Sequence, residues 1–225
     1  KNNVIFAVTS VICQIGVSLV IAALLESKFM RRWQSVFYTI YFIPSLLMIT
    51  VTGITFKMLY SPTIGLLNPV LAKLGIDVSN IAILADAETA IWGVAAMSQW
   101  QFIGYTVVLF IVSMQSISDD IYEAAAIDGA TGIQRFFLIT APLMKNTIMI
   151  NMIIVITGAF RVYDEVYVMT GGGPGTSTQT LATYLYQIGF KNDQMGYASA
   201  IAFFVFIITF ILGLFQMKGY DLSDD

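Results

Sequence analysis

The chain has 225 residues, 57% of them hydrophobic and 11% charged, with a formal net charge of −3 and a mean hydropathy of +0.79. A chain this apolar, at this size, reads as a polytopic membrane protein and not as a water-soluble domain. The absence of histidine excludes imidazole catalysis and most zinc sites, the lone Cys13 excludes an intrachain disulfide, and no basic stripe marks a nucleic-acid partner.

A bilayer core of roughly 30 Å takes about 20 helical residues. Runs that carry almost no charge define five expected spans, at about 4–25, 35–57, 89–113, 143–169 and 195–217. They predict an all-α membrane protein with a single transmembrane domain over 1–225, because backbone in lipid has to satisfy its own hydrogen bonds. Lys28, Arg31, Arg32, Arg135, Lys145 and Lys218 fall on one side, and Lys1, Lys73 and Lys191 on the other, with Lys57 and Arg161 close to it. The bias places the loop at 116–142 and the C-terminus in the cytoplasm and Lys1 outside. An outside start without an initiator Met implies at least one earlier helix in the natural protein.

In the second span Pro44 frees a backbone carbonyl one turn earlier, and Tyr41 and Ser45 share a face. Polar groups here read either as a substrate path or as a kink tied by interhelical hydrogen bonds. The outer segment Ser61–Glu88 carries Leu66, Leu67, Val70, Leu71 and Leu74 on one amphipathic face, suited to the membrane surface. In the third span Ser98, Gln101, Phe102 and Tyr105 recur at helical spacing beside Trp100 and Gly104. Aromatic faces, hydroxyls and amides of this kind suit sugars, and packing explains them as well.

The loop at 116–142 is longer than two adjacent spans need. Ser118 is an N-cap followed by Asp119 and Asp120, a short helix runs to Ile127, Asp128-Gly129 breaks it, and a second stretch from Ile133 ends near Pro142. This describes a knob that either docks on a partner or lies on lipid headgroups. Near the outer end of the fourth span, Arg161 and Asp164 are spaced to pair, with Glu165 beside them and Tyr163 placed to line a path. Gly171–Gly175 lacks the Gly-Lys-Ser/Thr ending of a phosphate loop and reads as a turn.

The knob carries a register of its own: Glu123-Ala124-Ala125, three residues, Gly129, nine residues, then Ile139-x-Ala141-Pro142. This resembles the EAA signature of binding-protein-dependent ABC importer permeases, with Ala141 at the place where leucine is usual. The stretches at 61–76, 121–130 and 167–190 are similar to the sugar-importing, maltose-type branch. The resemblance covers nearly the whole chain. It implies a core of six helices, of which these five correspond to the second through sixth.

The resemblance further implies that Glu123, Ala124, Ala125, Asp128, Gly129 and Ala130 contact an ATPase subunit. It implies a substrate path touching Tyr41, Ser45, Ser98, Phe102 and Tyr105, to which Tyr163 is added from its place near the outer end of the fourth span. Where maltose-type permeases offer polar amides in the fourth span, this chain has Ala159 and Val162. The implied partners are two ATPase subunits, a second homologous permease, an external solute-binding protein, membrane lipid and a sugar. The implied setting is a bacterial or archaeal cell (inner) membrane. No cofactor is expected in this chain, and ATP-Mg belongs to the partner subunits. No G-x-x-x-x-G-K-[ST], HExxH or G-x-S-x-G occurs, so the chain is not expected to be an enzyme. The competing class is a self-sufficient secondary carrier or channel, which would keep charge at mid-depth.

Overall fold

The computed structural model describes residues 1–27, 30, 33–78 and 81–221, with side chains through residue 216. Lys28, Arg31 and Arg32, on which the orientation reading leans, lie outside the described residues, as does the Lys218 side chain. Every regular element among the described residues is helical. In chain order they are α1 Asn2–Leu25, α2 Gln34–Leu46, α3 Ile49–Leu59, α4 Leu67–Lys73, α5 Ala90–Gln115, α6 Asp119–Ile127 and α7 Gly132–Leu143. Then follow α8 Lys145–Arg161, α9 Asp164–Met169, α10 Leu181–Tyr186 and α11 Met195–Asp221.

α1, α5 and the Met195–Gln216 part of α11 are each long and apolar enough to cross a membrane alone. The α2–α3 pair and the α7–α8 pair reach that length only when each is taken together, and they bend by 96° and 69°. The first bend has a local cause. Pro44 opens a single 3-10 turn, Ile43–Leu46, after which Leu47 and Met48 are extended. The second bend sits at Met144, just after Pro142.

α5 is the axis of the bundle. Its first turns carry Ile91, Val94 and Met97 into a core with Phe6, Ala159, Val162 and Val166. Its last turns carry Val107, Phe110, Ile111 and Met114 into a second core with Ala22, Leu25, Met144 and Val155. Phe6 therefore meets the start of α5 and Leu25 its end, so α1 and α5 run parallel. Ala159 meets the start and Met144 the end, so α8 runs antiparallel to both.

A polar seam joins α1 to α5 between the two cores. Gln99 Nε2 donates to Ser10 Oγ at 3.0 Å, Gln14 Nε2 donates to Gln99 Oε1 at 3.0 Å, and Ser18 Oγ donates to the Ile103 carbonyl at 3.2 Å. Ser10, Gln14 and Ser18 stand four residues apart and so line one stripe of α1. Apolar packing alone discriminates poorly between neighbours in lipid, and such amides fix register. At one end of the seam Asn3 Nδ2 donates to the Ala159 carbonyl, tying α1 to α8 as well.

Candidate functional site

The loop after α5 folds as a built knob. Ser118 Oγ accepts from the Asp120 amide at the start of α6, and Asp119 and Asp120 fill the acidic first turn. α6 ends in a Schellman turn. The Ala130 amide donates to the Ala125 carbonyl and the Gly129 amide to the Ala126 carbonyl, with Gly129 at φ +77°. Thr131 and Gln134 then form a capping box that starts α7. The Tyr122 hydroxyl and Thr140 Oγ1 lie 3.0 Å apart and fasten α6 to the far end of α7.

These bonds decide which EAA residues face outward. Glu123, Ala124, Asp128 and Gly129 are exposed, Ala125 is buried and Ala130 is half-buried. Ala125 and Ala130 are therefore the two ends of the bend, while the others form its outer face. On either side of Asp128-Gly129 in the chain, Ile127, 86% exposed, and Ile133 are also exposed. Sequence reading overlooked these two. Apolar residues flanking Asp128-Gly129 in an otherwise polar turn were the available signal.

The second region lies where α2 and α3 cross the middle of α5. Tyr41 is half-buried, and its carbonyl oxygen leans on Gly104. Ser45 Oγ donates to the Phe42 carbonyl at 2.7 Å, so the hydroxyl is spent on backbone within the Pro44 turn. Gln101 Nε2 donates to the Leu47 carbonyl at 2.9 Å. Phe102 is half-buried and Tyr105 is 46% exposed. The structure thus brings Tyr41, Ser45, Phe102 and Tyr105 to one region around the broken helix.

Ser98 and Tyr163 lie elsewhere. Ser98 is buried against the core, and its hydroxyl points to Glu165 Oε1 at 3.5 Å. Tyr163 belongs to an aromatic cluster near the start of α5. It stacks on Tyr167 with centroids 5.2 Å apart and touches Tyr186 at 5.4 Å. A hydrogen bond with Tyr167 pushes the Tyr186 phenol up from its ordinary value, and the Tyr167 charge adds to this.

The expected Arg161–Asp164 pair needs correction. Arg161 is the last residue of α8, Val162 turns the chain at φ −57°, ψ 120°, and Asp164 opens α9. The i, i+3 geometry of one continuous helix is lost across that break, and both side chains are exposed. The residue carried into the protein is Glu165.

The described residues thus form a bundle of whole and broken candidate spans, with a capped knob at one end and polar side chains at a discontinuous helix. Residues 14–217 match the family described as binding-protein-dependent transport system inner membrane component, and the chain belongs to that family. It is 47% identical to the probable ABC transporter permease protein YurN of Bacillus subtilis (strain 168), over 97% of this chain and 75% of the relative. It is 31% identical to the arabinooligosaccharides transport system permease protein AraP of the same organism, over 96% of this chain and 69% of the relative. It is 32% identical to the lactose transport system permease protein LacF of Rhizobium radiobacter, over 96% and 73% respectively.

The fold matches a chain of a bacterial ABC transporter involved in import of the acidic polysaccharide alginate, with a TM-score of 0.88 at 21% identity. That match covers 100% of this chain and 77% of the other. A second structure, of an alginate ABC transporter in complex with an alginate pentasaccharide-bound periplasmic protein, matches with a TM-score of 0.87, also at 21% identity, over 96% and 75%. Membership in this family selects the importer permease over the self-sufficient carrier or channel.

Proposed function

We propose that this chain forms half of the path of an ATP-driven importer for a carbohydrate, and that its α6–α7 knob is the point at which ATPase motion enters the membrane. One observation carries the reading: the EAA register folds into a capped bend with Glu123, Ala124, Asp128 and Gly129 on its outer face. Ala125 and Ala130 hold the bend, and exposed Ile127 and Ile133 add apolar area to it. A capped knob standing between α5 and α8 passes force into both spans, so closure of two ATPase subunits moves the helices as bodies. The knob then faces the cytoplasm.

The carbohydrate reading rests on the relatives' cargo, arabinooligosaccharides and lactose, and on the chemistry beside the broken helix. Tyr41, Ser45, Phe102 and Tyr105 offer ring faces and hydroxyls, and Tyr163 stands further along, by the start of α5. A second permease supplies the other wall, and an external binding protein delivers the sugar. The chain itself carries no ATP chemistry, which sits with ATP-Mg on the partner ATPases.

The test is co-expression with the candidate ATPase, second permease and binding protein, followed by reconstitution in liposomes. ATP-dependent uptake of labelled arabinotriose, lactose or raffinose supports the reading. A complex that assembles and hydrolyses ATP but takes up none of them removes the carbohydrate assignment. A chain that purifies without any ATPase in several mild detergents removes the docking knob.

A further inference from the structure

At the end of the bundle opposite the knob, the end of α3 and the segment leading into α5 frame a cavity of about 350 Å³. Its walls are held in place. Gly53 lets α9 lie close against α3, since a Cβ built on it would meet a Val168 methyl at 2.9 Å. Two turns further on, Tyr60 and Leu84 lie over Gly93 of α5, and the Tyr60 hydroxyl donates to the Gly93 carbonyl at 3.4 Å. The far wall is the turn at Gly173-Pro174, where the buried Thr178 hydroxyl donates to the Gly173 carbonyl at 2.8 Å.

The lining is one-sided in charge. Lys57, in the last turn of α3, borders the cavity, and no carboxylate does. Among the described residues the Lys57 amine has neither an ion pair nor a hydrogen bond. The other polar side chains on the wall are hydroxyls, those of Tyr60, Ser61 and Thr170, and Thr170 spends its own on the Val166 carbonyl. A lone ammonium among neutral hydroxyls selects an anion, and lysine binds phosphate as a point charge.

Two further observations say where that anion comes from. Trp92, in the first turn of α5 beside Gly93, is 54% exposed. An outward-facing Trp marks the level at which hydrocarbon meets headgroups. Along α3, Val51, Ile54 and Met58 are each at least half exposed and share one face. Lys57 stands three residues past Ile54, at the end of that apolar stripe. An apolar stripe that ends in a cationic cavity at headgroup depth has the outline of an anionic amphiphile.

We propose that this cavity binds the headgroup of an anionic phospholipid from the leaflet opposite the knob, with its phosphate on the Lys57 amine and an acyl chain along Val51, Ile54 and Met58. The bound lipid ties α3 to α9 and to the start of α5. The proposal does not depend on the cargo. Free inorganic phosphate carries the same charge without the chain, and the experiment tells the two apart.

The assembled importer, delipidated in mild detergent, is modified with an N-hydroxysuccinimide ester, and the Lys57 and Lys73 peptides are followed by mass spectrometry. Lys73, exposed on α4 and outside the cavity, is the reference. Dihexanoyl phosphatidylglycerol is expected to slow Lys57 modification about tenfold at about ten times its half-saturating concentration, with Lys73 unchanged. Phosphatidylcholine of the same chains and inorganic phosphate are expected to leave both rates as they are. In native mass spectrometry Lys57→Gln loses the phosphatidylglycerol that the complex retains and Lys57→Arg keeps it, with ATPase co-purification reporting assembly. Equal protection by phosphatidylcholine reduces the contact to its apolar part and overturns the proposal. Protection by inorganic phosphate makes this a soluble-anion site and overturns the lipid. A Lys57 that never reacts in the assembled importer is covered by the second permease, which also overturns it, as does a Lys57 whose modification phosphatidylglycerol fails to slow.

Discussion

The Tyr41 carbonyl oxygen occupies the space in which a side chain on Gly104 would begin: a Cβ built at Gly104 lies 1.6 Å from it. The contact is backbone against backbone, so no rotamer change relieves it. Gly104→Ala is expected to push α2 off α5 and to destabilise the protein by about 3 kcal/mol or more. Thermal unfolding of the purified complex reads the change. A melting temperature that does not move would show that the α2–α5 crossing is looser than the geometry states.

The seam between α1 and α5 makes a smaller and distinct prediction. Gln99 is both donor to Ser10 and acceptor from Gln14. Replacing it by Leu leaves Ser10 and Gln14 without that partner, at about 1 kcal/mol for a buried interhelical bond. Gln99→Leu combined with Gln14→Leu is expected to recover part of the loss, since both ends become apolar. Denaturant titration of the single and double variants decides this, and strict additivity would contradict a direct bond.

At Gly129 the surroundings are open but the backbone is at φ +77°. Space is therefore not the constraint; handedness is. Ala there is strained by about 1–2 kcal/mol, and Asn, which visits this region more readily, by less. ATPase co-purification is expected to fall in the order Gly, Asn, Ala, with Trp weakest because its bulk also obstructs the outer face. Equal recovery across the four would detach the bend from ATPase docking.

Tyr105 is an exposed aromatic on the central helix, four residues from Gln101 at the break. Tyr105→Ala is expected to lower uptake roughly tenfold, the worth of about one hydrogen bond, with ATPase association unchanged. Tyr105→Phe separates the hydroxyl from the ring. Loss of ATPase association in Tyr105→Ala would instead make Tyr105 a packing residue.

Much of this organisation is legible in the residues. Apolar runs of sufficient length predict α1, α5 and α11, and the EAA spacing predicts a helix, a glycine bend and a second helix. The break after Pro44 is only half legible. Proline announces a kink, but the size of the bend depends on Leu47 and Met48 going extended, and Gln101, distant in sequence, holds the Leu47 carbonyl. Helical spacing likewise suggests pairing of Arg161 with Asp164, yet it presumes an unbroken helix, which Val162 ends. The burial of Ser98 is equally hidden, because spacing groups it with Phe102 and Tyr105, while its partner Glu165 comes from a helix much later in the chain.

The α1–α5 seam also has a meaning in time. Gln14 and Gln99 are 85 positions apart. At about 5–20 residues per second of synthesis, α1 precedes its partner into the bilayer by roughly four to seventeen seconds. Throughout that interval Ser10, Gln14 and Ser18 form a polar stripe on a newly inserted helix whose α5 partners are not yet made. The seam that later fixes register is thus, during biogenesis, a set of donors and acceptors that waits for its second half.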